Sequence, residues 1–364
     1  MSVRSKWLKY GGAVLIAALM ISIVAGCSGT TPATSSSGST STQPAKSKIK
    51  AAMVTDIGGL GDKSFNDLSY AGLQKANADM GVEIKVLESK APTDYESNLT
   101  NLANAGFSPI FAVGFLMQDT MSKVSTAYPD VKFGGIDESF SPGIPNVVGL
   151  NFKEQEGAYL AGFLAAKLTT LTSVDKRINA QPMLGFVGGV SIPPVQRYEA
   201  GFIAGAKAAD PAVQVKSIYT GAFTDQQKGL EAGKALIGQG CDIVFAAAGQ
   251  TGLGTAKACQ DGKALFIGVD ADQFLTIPTI GDTIITSAIK KVDTAVYDTV
   301  KQANDGSLKG GADVLYGLKE DGVGLSPYHD WDTKIPADVR AAVDKAKADI
   351  IAGAITVPTT PPAK

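Results

Sequence analysis

The chain has 364 residues, 45% hydrophobic and 19% charged, which is enough apolar material for more than one core and too much for a disordered chain. Lysine and arginine number 33 against 35 aspartates and glutamates, a net charge of -2 that offers no field to a polyanion and argues against a nucleic-acid partner. Forty-one glycines and 17 prolines among runs of Val, Ile and Ala fit short strands joined to helices by tight turns, an α/β texture.

At the N-terminus, Arg4, Lys6 and Lys9 precede an uncharged apolar run over 11–25, the plan of a signal peptide spanning 1–26. The run ends Val24-Ala25-Gly26-Cys27, which resembles the lipobox of bacterial lipoproteins, where the cysteine sulfur is acylated and becomes the first mature residue. That places the protein outside the cytoplasm, anchored to the cell membrane through Cys27. An uncleaved anchor helix is the alternative, although the apolar run falls short of the ~20 residues that a span requires. Residues 27–47, rich in Ser, Thr, Pro and Gly, have little to bury and are expected to form a tether.

From residue 48 onward, short apolar runs with β-branched residues alternate with segments of helical spacing. Strands are predicted over 48–55, 82–88, 109–113, 132–136 and 147–150, with helices over 64–80, 94–105 and 119–128, making one parallel sheet. In the first helix Phe65, Leu68, Gly72, Ala76 and Met80 share a stripe, and Asp62 or Ser64 can cap its free N–H groups. A second set follows, with strands over 183–187, 213–219, 243–247 and 264–269 and helices over 196–209, 225–239 and 252–260. A helix over 154–168 is expected at the crossover, and the segment from 284 into a helix near 291 is expected to return to the first lobe. The first lobe is therefore 48–152 plus about 280–325, and the second 153–279 plus about 326–358. Ligands of open α/β sheets bind outside the carboxyl ends of the strands, so two facing sheets would gather their loops around one cleft.

The loop after the first strand, Asp56-Ile57-Gly58-Gly59-Leu60-Gly61-Asp62-Lys63-Ser64-Phe65-Asn66, is the sharpest motif. It approaches a phosphate-binding P-loop, but Asp62 stands where the glycine before Lys63 is required, and its charge opposes a phosphate. Asp56 and Asn66 can match donors and acceptors of a neutral heterocycle, while Phe65 offers a stacking face worth about 0.5–1.5 kcal/mol. A capped turn with a core phenylalanine is the alternative reading of this loop alone.

Further stretches accompany it in order. They include Thr93-Asp94-Tyr95-Glu96-Ser97-Asn98-Leu99, Val113-Gly114-Phe115, Ile136-Asp137, Gln196-Arg197-Tyr198-Glu199-Ala200-Gly201-Phe202, Ala248-Gly249-Gln250-Thr251-Gly252, Ile267-Gly268-Val269-Asp270 and Thr286-Ser287-Ala288-Ile289-Lys290. Together they resemble the basic membrane protein family of bacterial substrate-binding lipoproteins, which includes purine-nucleoside-binding members, from residue 48 to about 355. The resemblance implies a two-lobed periplasmic-binding-protein fold of the three-crossover type, each lobe a parallel sheet flanked by helices. It also implies a nucleoside between the lobes, an ABC permease as partner, and a monomer. The family pattern places the base near Asp56, Phe65 and Asn66, with Asp137, Asp270 and Lys290 around the same ligand and Gly249 and Gly252 allowing close backbone approach. Asp270 would accept from a ribose diol and Lys290 donate to an oxygen, their charges offsetting each other; a purely structural ion pair is the alternative. The second aromatic wall has no clear match: Phe115, Tyr198 and Phe245 are candidates, Phe245 with a core role as its competitor.

No catalytic residues, cofactor or metal site are expected. The single histidine, His329, is remote from any serine or cysteine motif, and Cys241 and Cys259 lack zinc-ligand spacing, although outside the cytoplasm they could pair. The glycines of 249–254 have the reverse of dinucleotide-binding spacing. A sensory or surface lipoprotein that does not transport, and a nucleoside hydrolase, are the competing functions; the aspartate run of calcium-dependent hydrolases is missing.

Overall fold

A computed structural model describes residues 47–140 and 143–363. The predicted signal peptide, Cys27 and the tether as far as residue 46 lie outside the described residues. The chain begins β1 (Lys50–Thr55), α1 (Phe65–Met80), β2 (Glu83–Glu88), α2 (Asp94–Asn104), β3 (Ile110–Val113), α3 (Gln118–Ala127), β4 (Phe133–Ile136) and β5 (Val147–Phe152). It continues α4 (Glu154–Leu168), β6 (Met183–Gly188), α5 (Pro193–Ala209), β7 (Gln214–Tyr219), α6 (Gln226–Gly238), β8 (Ile243–Ala247), α7 (Gln250–Gly262) and β9 (Leu265–Asp270). The remainder is α8 (Gln273–Thr276), β10 (Ile284–Lys290), α9 (Val292–Asn304), β11 (Ala312–Tyr316), β12 (Val323–Leu325) and α10 (Ala337–Ile351).

These strands form two six-stranded sheets, β11-β5-β4-β3-β1-β2 and β12-β10-β9-β8-β6-β7. Every pairing is parallel except β10 with β12. Central strands such as β3, β4, β8 and β9 are buried along their whole length, as parallel strands covered by helices on both faces must be. The outer strands β2, β7 and β11 carry exposed positions, as befits sheet edges.

Helix α1 shows how local chemistry serves the site. Its cap is Asp62, whose carboxylate accepts from Ser64 N at 3.0 Å, Asn66 N at 2.8 Å and Asp67 N at 3.2 Å. The helix stops at Gly81, whose φ of 66° suits a residue without a Cβ. The buried face is Asn66, Ser69, Gly72, Leu73 and Ala76, rotated from the expected stripe. The rotation turns Asn66 inward and leaves Phe65 only partly buried at the strand ends. Gly72 meets α9 so closely that a Cβ there would lie 2.5 Å from Asp293 O. In the second lobe α4 and α5 lock together: Cβ atoms on Gly162, Gly201 and Gly205 would lie about 2 Å from Phe202 O, Gln155 O and Tyr159 O.

The chain passes between the sheets after β5, after β10 and after β11. The expected return to the first lobe near 280 is corrected: β10 pairs with β9 inside the second sheet, and only from Lys291 does the chain run to α9 and β11. The expected limit near 325 shifts as well, because β12 pairs with β10. The three crossing segments are laced side by side by Lys153 N donating to Tyr316 O, Lys291 N donating to Gly322 O (both 2.9 Å), and Leu318 N donating to Glu156 Oε2 at 2.8 Å.

Candidate functional site

The carboxyl ends of both sheets meet at one slot, with about 570 Å³ of empty space that includes open solvent. Residues just past β1, β3 and β4 supply Asp56, Phe115 and Asp137, and the start of α1 supplies Phe65 and Asn66. From the second lobe come Phe223 after β7, Tyr198 of α5, Gly249 after β8, and the last residues of β9 and β10, Asp270 and Lys290. Asp137 and Asp270 both hold left-handed backbone, at φ of 64° and 61°, strain of the kind that concentrates where side chains must be aimed.

Most of the side chains expected in the cleft are therefore brought together. Phe245 is not: it is fully buried in mid-β8, its ring packed against Phe202 (5.3 Å between centroids), Phe186 (5.5 Å) and Tyr198 (5.7 Å). Gly252 is also outside the slot, one turn into α7, facing Ala246 and Ala248. Gly249, at φ 56°, does line it, and a Cβ there would come 3.2 Å from Phe223 O. On the second lobe's side the slot is lined by two aromatic side chains, Tyr198, which was among the candidates, and Phe223, which the sequence reading missed. Its position in the loop after the predicted strand 213–219 was the available signal.

The polar groups fall into two sets. In the first, Asn66 Nδ2 donates to Asp56 at 3.1 Å and to Asp62 at 3.2 Å, which fixes the amide and leaves its buried Oδ1 without a partner. Burial pushes the Asp56 carboxyl up to about 6, against the pull of the Gly58 N–H and the Asn66 amide. In the second set, Lys290 Nζ stands 2.6 Å from the Asp137 carboxylate and 2.9 Å from Glu154 Oε1, and Arg197 Nε lies 2.5 Å from Glu154 Oε2. Two cations and two anions thus balance one another, with Lys290, Asp137 and Glu154 buried and Arg197 partly exposed. The Lys290 ammonium also lies over the rings of Phe65 (4.8 Å) and Phe152 (5.0 Å). Asp270 makes no direct ion pair with Lys290, although their charges act on each other; its Oδ1 accepts from the Tyr198 hydroxyl at 2.7 Å. Burial raises Asp270 to about 7, with the Lys290 charge and the Tyr198 hydroxyl pulling the other way. In Glu154 burial is outweighed by Lys290 and Arg197, which hold its carboxyl below the usual range.

Elsewhere, His329 stacks on Phe274 (4.1 Å between centroids) with Nε2 2.7 Å from Asp272 Oδ2, and is not among the residues lining the slot. Cys241 and Cys259 are free, buried thiols, and burial pushes Cys241 up to about 12.

Two parallel sheets presenting their strand ends to a shared slot, with three crossings between them, define the two-lobed architecture of periplasmic solute-binding proteins. The crystal structure of an ABC transporter system solute-binding protein from Aeropyrum pernix K1 is similar, with a TM-score of 0.79 and 29% identity over 87% of this chain and 94% of that one. Residues 49–360 match the Bmp family model, described as ABC transporter substrate-binding protein PnrA-like. The ABC transporter nucleoside-binding protein BmpA of Lactococcus lactis subsp. cremoris is 34% identical over 362 residues, covering 94% of this chain and 97% of that protein. A lipoprotein of Pyrococcus abyssi, named as uncharacterized, is 36% identical over 325 residues, 86% of this chain and 74% of its own length. The chain belongs to the Bmp family of ABC transporter substrate-binding proteins. Its role is to bind a solute and not to convert one, which implies a small-molecule ligand and a membrane permease as partner.

Proposed function

We propose that the slot binds a nucleoside, with purines preferred, and hands it to an ABC permease. The observation that carries this reading is that aromatic side chains of both lobes, Phe65 from the first and Phe223 from the second, line the same slot as Asp56 and Asn66, whose buried Oδ1 has no partner. Aromatic faces suit a base, and the orphaned buried acceptor Asn66 Oδ1 calls for an N–H donor. Asp270, Lys290 and Asp137, which line the same slot, suit the hydroxyls of a ribose. The name of the Lactococcus relative points the same way. The protein acts as a monomer held at the outer face of the cell membrane by acylated Cys27, the lobes closing over the solute.

Mass spectrometry of the solute released from purified protein, followed by calorimetric titration with inosine, guanosine, uridine and ribose, tests the reading. Purine nucleosides should bind with unit stoichiometry and be recovered uncleaved. A protein that binds none of these, or that liberates free base, refutes it. Replacing Cys27 with Ala should move the protein from the membrane to the soluble fraction.

A further inference from the structure

The segment from Ile57 to Ser64 has an uneven distribution of backbone partners. Seven of its eight N–H groups, all but that of Asp62, are satisfied within their own lobe: Ile57 by the Tyr95 hydroxyl, Gly58 by Asp56 Oδ1, Gly59 by Asp56 O, Leu60 by Glu88, Gly61 and Lys63 by Asp67, and Ser64 by Asp62. The carbonyls of Gly58, Leu60 and Lys63 receive donors only from the opposite lobe among the described residues. Gln250 Nε2 donates to Gly58 O at 2.9 Å and to Leu60 O at 3.4 Å. Thr276 Oγ1 donates to Lys63 O at 3.0 Å, and Gln273 Nε2 reaches the same oxygen at 3.5 Å. Lys63 holds a left-handed φ of 57°, which a non-glycine residue adopts at a cost and which belongs to the same turn that presents its carbonyl.

From this geometry we infer that Gln250 and Thr276 are positioning residues: they form a clasp that grips the 57–64 loop across the mouth of the slot and sets how long a bound solute stays. Neither lines the slot, but both hold the loop that carries Asp56 and Asp62, which do. Every cross-lobe donor in the clasp comes from a side chain of the second lobe and every acceptor is main chain of the first. A substitution in the first lobe's loop therefore leaves the clasp's acceptors in place, whereas one in the second removes a donor outright. The clasp acts when the lobes meet, so it governs release and is indifferent to which solute lies inside.

The inference rests on the nucleoside reading only for its probe. In stopped-flow experiments with inosine and guanosine, Thr276→Val should speed release about 2- to 10-fold, the worth of one neutral hydrogen bond. Gln250→Glu, which turns a donor into an acceptor facing two carbonyls, should speed it more. Both should leave association within about twofold and change the two nucleosides by the same factor, and Thr276→Ser should restore native release. Unchanged release, slowed association, or a factor that differs between nucleosides overturns the clasp. Separately, the Lys63→Cys/Thr276→Cys double variant, mildly oxidised without ligand, should yield an interlobe disulfide found as a linked peptide mass. If the native protein fails to bind inosine, the nucleoside reading falls, and absence of that linked peptide is then what overturns the clasp.

Discussion

Replacing Asp270 with Asn should strengthen the fold while weakening its use. The carboxyl is 7% exposed and buried strongly enough to titrate at about 7 in place of 3.8. Such a gap means that the ionised folded protein gives up roughly 4 kcal/mol relative to an unfolded chain in which the acid is solvated. The sign follows from proton affinity: the folded state holds this proton more tightly, so the cost is nearly absent below about pH 4, grows as pH rises toward 7, and is complete above it. Asn cannot ionise, fits the left-handed backbone at φ 61°, and its Oδ1 can still accept from the Tyr198 hydroxyl. Allowing about 2 kcal/mol at every pH for the extra buried NH₂, we expect Asp270→Asn to exceed the native protein by roughly 2 kcal/mol at pH 8 and to fall below it by roughly 1–2 kcal/mol near pH 4. Urea unfolding followed by circular dichroism across that range measures the difference, and calorimetry should show ribosides losing more affinity than free bases. A deficit in stability that is the same at every pH would refute the argument from burial.

Lowering pH from about 8 to about 5 should weaken inosine binding, because Asp270 near 7 and Asp56 near 6 must ionise to act as full acceptors; titrations in buffers of different ionisation enthalpy should show proton release on binding. Phe65→Ala and Phe223→Ala should each weaken inosine by about 3- to 10-fold while leaving ribose nearly unaffected, read by calorimetry. Glu154→Gln removes one of two carboxylates from Lys290 and the partner of Arg197, and should lower unfolding free energy by about 3 kcal/mol in urea at neutral pH.

Much of this architecture was legible in the sequence because parallel strands and their helices write strong periodic patterns. The residues at or immediately past strand ends, such as Asp56, Asp137 and Asp270, could be placed at the slot from those patterns and the family motifs together. The failures have physical reasons. Phe245 shares an apolar run with residues at the strand end, and sequence does not mark the single step at which a strand stops and a site begins. Phe223 sits among small polar residues with no periodicity, so only its offset from β7 pointed to it. Gly252 was read as a place for a ligand, whereas this fold uses its helical glycines mostly to bring neighbouring segments together, as Gly201 and Gly205 do. The assignment of β10 failed because β-branched strands of either lobe look alike, and their sheet is settled by neighbours distant in the chain. β11, β12 and α10 went unpredicted, the first being an exposed edge strand and the second only three residues long.

Three backbone segments running abreast and tied to one another at Lys153, Lys291 and Leu318 behave mechanically as a strip of webbing and not as a single thread. A strip flexes readily along one line but resists torsion and sliding, so the halves it joins can part and meet again in register. A membrane partner would then face the same rim geometry at every encounter, whatever the history of the molecule since its last delivery.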